Sequence, residues 1–294
     1  MQDFGNAAKP TTVMFVQDGR IVAGFGDASR KFNMFSVRKN LLSALCGIAI
    51  SEGRINLASR LAELGIDDNP PSLTDAERQA TVRDLLMARS GIYHAAAYET
   101  PDMAATRPQR GSHASGSFWY YNNWDFDALG TIYRKATGED IFQSFEQRIA
   151  RPIGMEDFSA RDGQYVTEPQ SIHQAYPFSL SARDAARFGL LFLNGGQWRG
   201  RQILPAAWIK ESTTTYSPHA ESGELGYGYL WWTLPDERWG AGAITAAGNF
   251  GQKIAVIPSR RLVVVENVDP RQNAQGVKTS IFLDLTRKVM AAPP

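Results

Sequence analysis

The alternation of apolar and polar residues predicts β-strands near both ends of the chain. The runs TTVMFVQ and RIVAGFG are rich in β-branched and aromatic residues, and the Asp-Gly turn signal between them is typical of a hairpin. The final third contains four more such runs, GYGYLWWTL, GAITAAG, GQKIAVIP and RLVVVENV, with PSRR as a tight turn between the last two. A helical period then returns in VKTSIFLDLTRKVMAA.

The part of the chain between these strands has a helical pattern. A long apolar helix is predicted in SVRKNLLSALCGIAISEG, which ends at Gly53, and others in TDAERQATVRDLLMARSG, WDFDALGTIYRKATG, DIFQSFEQRIARPIG and SARDAARFGLLFLNGG. The stretch from His94 to Phe118 has no hydrophobic period and predicts a long loop. Loops of this length are usually functional or disordered.

These elements predict an α+β fold. We expect an antiparallel β-sheet built from the N- and C-terminal strands and flanked by helices, with an inserted, mainly helical subdomain. The expected division places residues 1–55 and 176–294 in the sheet domain and 56–175 in the helical subdomain, with the active site in the cleft between them.

Composition excludes several classes of function. The chain has 294 residues, with 31 basic and 30 acidic side chains and a net charge of +1, so no field attracts nucleic acid or an anionic membrane. Cys46 is the only cysteine, which excludes an internal disulfide. The four histidines have no metal-ligand spacing, so we expect neither a metal nor a cofactor: His94, His113, His173 and His219.

The compartment is predicted from what the sequence lacks. It has no run approaching the roughly 20 apolar residues that span a bilayer, and no basic region followed by an apolar one at its start. These observations predict a cytoplasmic protein without a membrane partner, or a periplasmic or secreted one if a leader has been removed. The sequence leaves the oligomeric state open.

The first candidate for chemistry is Ser36 with Lys39, at the start of the long apolar helix. Positions i and i+3 lie on one face of a helix, so the amine can reach the hydroxyl. Serine needs a base to become a nucleophile, and lysine is one when burial or nearby positive charge lowers its pKa. The helix start also offers N–H groups to an oxyanion. The alternative is a helix cap followed by a solvated cation.

Two further motifs lie downstream. In WYYNNWDF, Tyr121 precedes Asn123 by two residues at the start of a helix; a tyrosine beside an ammonium can relay protons, and an asparagine amide can hold the lysine and the substrate. The alternative is an aromatic cluster with Asn123 as its N-cap. In AAGNFGQKIAVIP, glycines enclose polar residues at a strand entrance, which permits close approach of a ligand or marks a β-bulge.

Together and in this order, the three motifs resemble those of the serine β-lactamase and penicillin-binding-protein superfamily. The resemblance is greatest to its class C-like branch of esterases, D-aminopeptidases and 6-aminohexanoate-dimer hydrolases, and it spans nearly the whole chain. The runs TVRDLLMARSGI, ALGTIYRKATG, RPIGMED and GYGYLWW support it. An α/β-hydrolase is disfavoured because Gly-x-Ser-x-Gly is absent.

The resemblance implies a role for each motif. Ser36 is expected to be the acyl-accepting nucleophile, Lys39 its activating amine, and Tyr121 the acid/base that protonates the leaving group. Asn123 is expected to orient Lys39 and the substrate amide. The remaining residues implied to bind substrate or oxyanion are Asn249, Gly251 and Gln252, the last through its backbone N–H. Apart from the resemblance, the position of Tyr176 just before a proline in QAYPFSL predicts that it lines the cleft and binds substrate.

One departure from the superfamily pattern bears on the substrate. The third motif normally supplies a cation and a hydroxyl that clamp a substrate carboxylate, whereas Asn249 and Phe250 supply neither here. Each lost charge-assisted hydrogen bond is worth about 1.5–3 kcal/mol. We therefore predict a serine hydrolase of esters or small amides, with a β-lactamase or DD-peptidase as the first alternative and a catalytically inactive binding module as the second.

Overall fold

The computed structural model describes residues 9–69, 71–218 and 225–291. Within these ranges the β-strands, in chain order, are β1 Thr12–Gln17, β2 Arg20–Phe25, β3 Lys31–Asn33, β4 Val166–Glu168, β5 Ser171–Ala175, β6 Ser179–Ser181, β7 Gln197–Trp198, β8 Arg201–Gln202, β9 Ser217–Pro218, β10 Gly226–Tyr227, β11 Trp232–Thr233, β12 Ile244–Gly248, β13 Gln252–Ile257 and β14 Leu262–Asn267.

Helices occupy much of the remaining described chain. The α-helices are α1 Arg38–Ser51, α2 Leu61–Leu64, α3 Val82–Leu86, α4 Pro101–Ala105, α5 Asn123–Thr137, α6 Ile141–Phe145, α7 Ala182–Leu193, α8 Ala206–Ser212, α9 Asp236–Trp239 and α10 Thr279–Ala291. Short 3-10 turns occur at Phe35–Val37, Glu77–Gln79, Ala160–Asp162, Asn249–Gly251 and Pro258–Arg260, and a π-helical turn at Glu146–Ala150.

The two ends of the chain meet in one antiparallel sheet. Its eight strands have the order β2-β1-β14-β13-β12-β11-β10-β9, so β1 from the N-terminal part pairs with β14 from the C-terminal part. Alternate residues of each strand point to opposite faces. One face packs against α7 and the other against α10, which explains why β13 and β14 are apolar on both sides. The predicted α+β fold with an antiparallel sheet is confirmed.

Helix α1 lies in the interior and carries the first candidate motif. Every residue from Arg38 to Ala49 is buried. Its polar side chains find backbone partners in the GYGYLWW segment: Asn40 Nδ2 donates to the Leu230 carbonyl at 2.8 Å and Ser43 Oγ to the Tyr229 carbonyl at 2.8 Å. Asn40 therefore points away from Ser36.

Two predicted elements are interrupted in the structure. The helix expected from Thr74 breaks after Gln79 because Thr81 makes a new N-cap, accepting a hydrogen bond from the Asp84 N–H. The run GYGYLWWTL forms the two short strands β10 and β11 instead of one, since Leu230 between them has a φ of 65°. Both breaks come from local hydrogen bonding and backbone geometry that hydrophobic periodicity does not encode.

Of the described residues, none belongs to a helix that is both long and apolar enough to cross a bilayer. The division into a sheet domain and a helical subdomain at residues 55/56 and 175/176 stays a prediction.

Candidate active site

Ser36 sits on a tight turn immediately before α1. The turn opens with the Phe35 N–H donating to Asn33 Oδ1 at 2.8 Å and closes with the Val37 N–H donating to the Met34 carbonyl at 3.0 Å. Phe35 has a φ of 46°, in the left-handed region that bulky residues rarely adopt. Ser36 therefore occupies the first turn and is not the N-cap, since Met34 caps this turn and Val37 caps α1.

The side chains of Lys39 and Tyr121 meet at Ser36. The Lys39 Nζ lies 2.8 Å from Ser36 Oγ and 2.8 Å from the Tyr121 hydroxyl oxygen. It also lies 4.5 Å from the Tyr121 ring centroid and 4.8 Å from that of Phe126. The structure thus brings together the predicted nucleophile, base and acid within hydrogen-bond distance.

The surroundings of Lys39 favour its neutral form. Burial holds the pKa of Lys39 well below its usual value, and the positive charge of the neighbouring Arg38 adds to this effect. The carboxylate of Asp127 acts in the opposite direction. A neutral amine retains a lone pair that can accept a proton from a hydroxyl, whereas an ammonium does not.

Tyr121, in contrast to Lys39, keeps its proton. Burial of its hydroxyl raises the pKa of Tyr121 to about 12, against a hydrogen bond with Ser36 that favours ionisation. The phenol therefore keeps its proton at neutral pH. Lys39 and Tyr121 form a neutral base and a neutral acid in direct contact, the pairing of pKa values that proton transfer requires.

The helix that follows Tyr121 begins one residue earlier than the alternative interpretation places it. Asn122 is the N-cap of α5, accepting hydrogen bonds from the Trp124 and Asp125 N–H groups. Asn123 is free of that task, and its Nδ2 donates to the Tyr98 carbonyl at 2.7 Å. Its Oδ1 is buried without a hydrogen-bond partner. Asn123 thus fixes the long loop and not Lys39.

The third motif packs directly on the serine turn. A Cβ on Gly248, the last residue of β12, would lie 2.4 Å from the Met34 carbonyl oxygen, so the strand approaches the turn as closely as only glycine permits. Asn249 follows and is exposed, while Gly251 has a φ of 108°. The predicted closeness of a glycine-rich strand to Ser36 is therefore present at Gly248, three residues before Gly251.

Two predicted site residues point elsewhere. The Gln252 N–H donates to the Asn249 carbonyl, and its buried side chain bonds to the Val268 carbonyl and Asn267, so the expected oxyanion contact from Gln252 does not fit the structure. Tyr176 is fully buried, and its hydroxyl donates to the Phe126 carbonyl at 3.0 Å. Tyr176 belongs to the core and not to the cleft, because its ring packs beneath a buried charge.

That charge is Arg38, which sequence analysis did not single out. Its guanidinium lies 4.4 Å from the Tyr176 ring centroid and forms a fully buried ion pair with Asp127, Nη2 to Oδ1, at 2.8 Å. Burial raises the pKa of Asp127 to about 6, although Arg38 and Lys39 both act against that rise. A charged residue inside an apolar helical run was the available signal, present both in SVRKNLL and in NWDFDAL.

Two arginines of the long loop have ion-pair partners, and the single cysteine is buried. Arg107 pairs with Glu99, and Arg110 pairs with Glu77 at 2.7 Å. Burial raises the pKa of the Cys46 thiol to about 12, which makes it a poor nucleophile.

The described histidines contact residues other than Ser36. His94 approaches Glu77 at 3.6 Å and His113 stacks on Phe118 at 4.0 Å between ring centroids. His173 is buried beside Trp124, and His219 lies outside the described residues. The described ranges contain no cluster of three or more histidine, cysteine or carboxylate side chains arranged to hold a metal.

The antiparallel sheet, the buried helix α1 and the contact of Lys39 with Ser36 and Tyr121 together define a protein of the β-lactamase fold. The chain belongs to the beta-lactamase family, whose model matches residues 6–271. It is therefore a β-lactamase-related protein, and the resemblance seen in the sequence to the serine β-lactamase and penicillin-binding-protein superfamily is confirmed.

Individual relatives agree with this assignment. The chain is 25% identical over 302 residues to a 6-aminohexanoate-dimer hydrolase of Paenarthrobacter ureafaciens, covering 92% of this chain and 74% of that protein. It superposes on a putative 6-aminohexanoate-dimer hydrolase from Bacillus anthracis with a TM-score of 0.76 at 22% identity, covering 100% and 83% of the two chains. A D-stereospecific amidohydrolase from Streptomyces sp. gives 0.66 at 18% identity, covering 97% and 96%.

Proposed function

We propose that this protein hydrolyses carboxylic esters or small amides through an acyl-enzyme on Ser36. The observation that carries the proposal is the position of the Lys39 Nζ, 2.8 Å from both Ser36 Oγ and the Tyr121 hydroxyl, in a buried setting. A neutral amine in contact with the serine hydroxyl is the base that nucleophilic attack requires. The names of similar proteins, a dimer hydrolase and an amidohydrolase, support the inclusion of amides.

Acylation follows from the protonation states. Lys39 accepts the Ser36 proton as Oγ attacks the carbonyl carbon, which gives a tetrahedral oxyanion and a lysine ammonium. Tyr121 donates its proton to the leaving oxygen or nitrogen as that bond breaks, and the Lys39 ammonium returns a proton to the phenolate. The net result is one proton moved from serine to the leaving group. Water then attacks the acyl ester as neutral Lys39 accepts its proton. The Lys39 ammonium returns that proton to Ser36 Oγ as the bond to the acyl carbon breaks, which releases the carboxylic acid and regenerates Ser36.

The oxyanion is expected between backbone N–H groups. One is that of Ser36, on the turn preceding α1. Since the Gln252 N–H is engaged with the Asn249 carbonyl, we assign the second to Asn249, which directly follows the close approach of Gly248 to Met34. The unpartnered Oδ1 of Asn123 is available to an N–H donor of an amide substrate.

The test compares two serines on the same segment. A fluorophosphonate probe should label Ser36 in the wild type, and Ser36→Ala should abolish both labelling and hydrolysis of p-nitrophenyl esters. Ser43→Ala is the matched control, because Ser43 is buried on α1, the helix that follows the Ser36 turn, and its hydroxyl donates to the Tyr229 carbonyl. Undiminished turnover in Ser36→Ala would reject the proposal. Absence of labelling in a folded wild type would favour a binding module.

A β-lactamase or DD-peptidase would use the same acylation but a different substrate pocket. Asn249 and Phe250 stand where a carboxylate clamp would be expected, and they offer neither a cation nor an aliphatic hydroxyl. We therefore expect slow nitrocefin hydrolysis relative to ester hydrolysis. Rapid nitrocefin turnover or stoichiometric penicillin labelling of Ser36 would reverse this order of preference.

A further inference from the structure

Phe35, which directly precedes Ser36, shares an unusual backbone conformation with two aromatic residues whose rings lie beside its own. Phe35, Tyr98 and Phe250 have φ values of 46°, 60° and 61°. Left-handed backbone is unfavourable for bulky residues and persists only where surrounding contacts impose it. The three lie on separate segments: the serine turn, the long loop and the turn after β12.

Their rings nevertheless pack together. The centroids of Phe35 and Phe250 are 5.1 Å apart, and those of Phe35 and Tyr98 are 6.4 Å apart in a stacked arrangement with an interplanar angle of 15°. All three side chains are half-buried, so each keeps part of its surface exposed. We call these three residues the aromatic wall.

One asparagine fastens two members of the aromatic wall. The Asn33 Oδ1 accepts the Phe35 N–H at 2.8 Å, and its Nδ2 donates to the Tyr98 hydroxyl at 2.9 Å. The Tyr98 carbonyl is held in turn by Asn123 Nδ2 at 2.7 Å. Backbone and ring of Tyr98 are thus fixed independently.

Phe250 is fastened by the segment after β14. Its carbonyl accepts the Val277 N–H at 3.0 Å, and Gly276 lies so close that a Cβ there would be 2.4 Å from the Phe250 Cα. Rings held in this way are pre-organised, and a ligand that packs on them loses little conformational entropy of the protein.

The cation beside the aromatic wall is already paired, whereas a carboxylate near it has no ion-pair partner among the described residues. The Arg38 guanidinium, 6.0 Å from the Tyr98 ring centroid, is bound to Asp127. The backbone N–H of Tyr98 donates to Glu168 Oε1 at 3.2 Å. A substrate carboxylate would therefore meet apolar ring surface and a carboxylate, whereas an uncharged apolar group would bury area at no electrostatic cost.

Tyr121 belongs to a different aromatic cluster. Its ring lies 5.5 Å from that of Trp232 and 6.0 Å from that of Tyr227. Since Tyr121 protonates the leaving group in the proposed function, the leaving group is expected on that side. Phe35 adjoins the residue that keeps the acyl group, which places the aromatic wall beside the acyl chain.

We propose that the aromatic wall of Phe35, Tyr98 and Phe250 binds an uncharged, apolar acyl group of the substrate. This inference rests on the proposed function of Ser36. It makes the aromatic wall the determinant of acyl-chain preference.

The experiment compares p-nitrophenyl acetate, hexanoate and hydrogen adipate, the last matching hexanoate in length but ending in a carboxylate. The wild type should prefer hexanoate to both. Phe250→Ala and Tyr98→Ala should lower kcat/KM for hexanoate about tenfold and change that for acetate little. Alanine keeps a Cβ at this left-handed backbone position. Phe250→Ala therefore removes the ring but leaves the free-energy cost of the left-handed backbone conformation unchanged.

The control is Trp198→Ala, at the other end of the sheet beside Asp18 and Arg261, which should leave the hexanoate-to-acetate ratio unchanged. Phe250→Leu, which keeps apolar volume, should give an intermediate ratio and covers the case in which the alanine variants fail to fold. An equal loss for acetate and hexanoate, or a wild type that prefers the adipate ester, would overturn the inference. Full activity in Ser36→Ala would instead reject the proposed function.

Discussion

The Arg38 Nη2 lies 2.8 Å from Asp127 Oδ1, and the two side chains are 1% and 0% exposed. A fully buried ion pair one residue from Lys39 places a positive and a negative charge within the field of the proposed base. Both Nη atoms of Arg38 and both carboxylate oxygens of Asp127 are buried without hydrogen-bond partners, so each charge is compensated mainly by the ion pair itself. The pair therefore bears on both stability and catalysis.

The stability of the protein should depend on keeping both charges or neither. Removing one partner of a buried pair leaves an uncompensated charge and typically costs about 3–5 kcal/mol. We expect Arg38→Met and Asp127→Asn each to lower the free energy of unfolding by about that amount. The double variant should cost much less than the sum, measured by urea denaturation as a double-mutant cycle. Additive losses would show that the charges do not interact.

The same variants should move the pH profile in opposite directions. The proposed mechanism requires neutral Lys39, so we expect kcat/KM to rise with pH through the pKa of Lys39. Arg38 lowers that pKa and Asp127 raises it, while Ser36 and Tyr121 carry no charge near neutral pH. Arg38→Met should shift the acid limb to higher pH and Asp127→Asn to lower pH. Ser43→Ala should not shift it, and parallel shifts in the two charge variants would contradict this account.

Burial of Lys39 in its neutral form should lower the free energy of unfolding at pH values below the pKa of this lysine in the unfolded chain. Its folded-state pKa lies well below 10.5, so the unfolded chain binds one more proton than the folded protein in the pH range between the two values. Stability then rises with pH there, by about 1.4 kcal/mol per pH unit relative to a variant without the lysine. The difference in unfolding free energy between the wild type and Lys39→Met, measured from pH 9 to 10, should show this slope. A difference independent of pH would mean that Lys39 is charged in the folded state.

The loss of hydrolytic activity caused by Tyr121→Phe should depend on the leaving group of the substrate. p-Nitrophenolate leaves without protonation, whereas an alkoxide or an amine must be protonated. General acid catalysis contributes about 10²–10⁴-fold, so we expect losses in that range for ethyl esters and amides. Hydrolysis of p-nitrophenyl esters should fall less. Equal losses for both kinds of substrate would point to a role of Tyr121 in orienting Lys39 alone.

Local sequence determined the elements and one contact of the site. Alternating apolar residues gave the strands at both ends, because side chains of a strand alternate between faces, and a sustained apolar run gave the buried helix α1. Ser36 and Lys39 are one turn apart on that segment, so their proximity follows from helix geometry alone. The Asp-Gly signal likewise fixed the β1–β2 hairpin.

Tertiary structure decided which distant groups join that contact. Tyr121, separated from Lys39 by 82 positions, reaches it because the Asn122 cap fixes where α5 begins. Buried polar groups must satisfy their hydrogen bonds within the fold. The Tyr176 hydroxyl therefore donates to the Phe126 carbonyl and the Gln252 amide to the Val268 carbonyl, so that both side chains point away from the cleft. The pairing of Arg38 with Asp127 has the same cause: a charge excluded from water needs a counter-charge, and periodicity does not say where that partner lies.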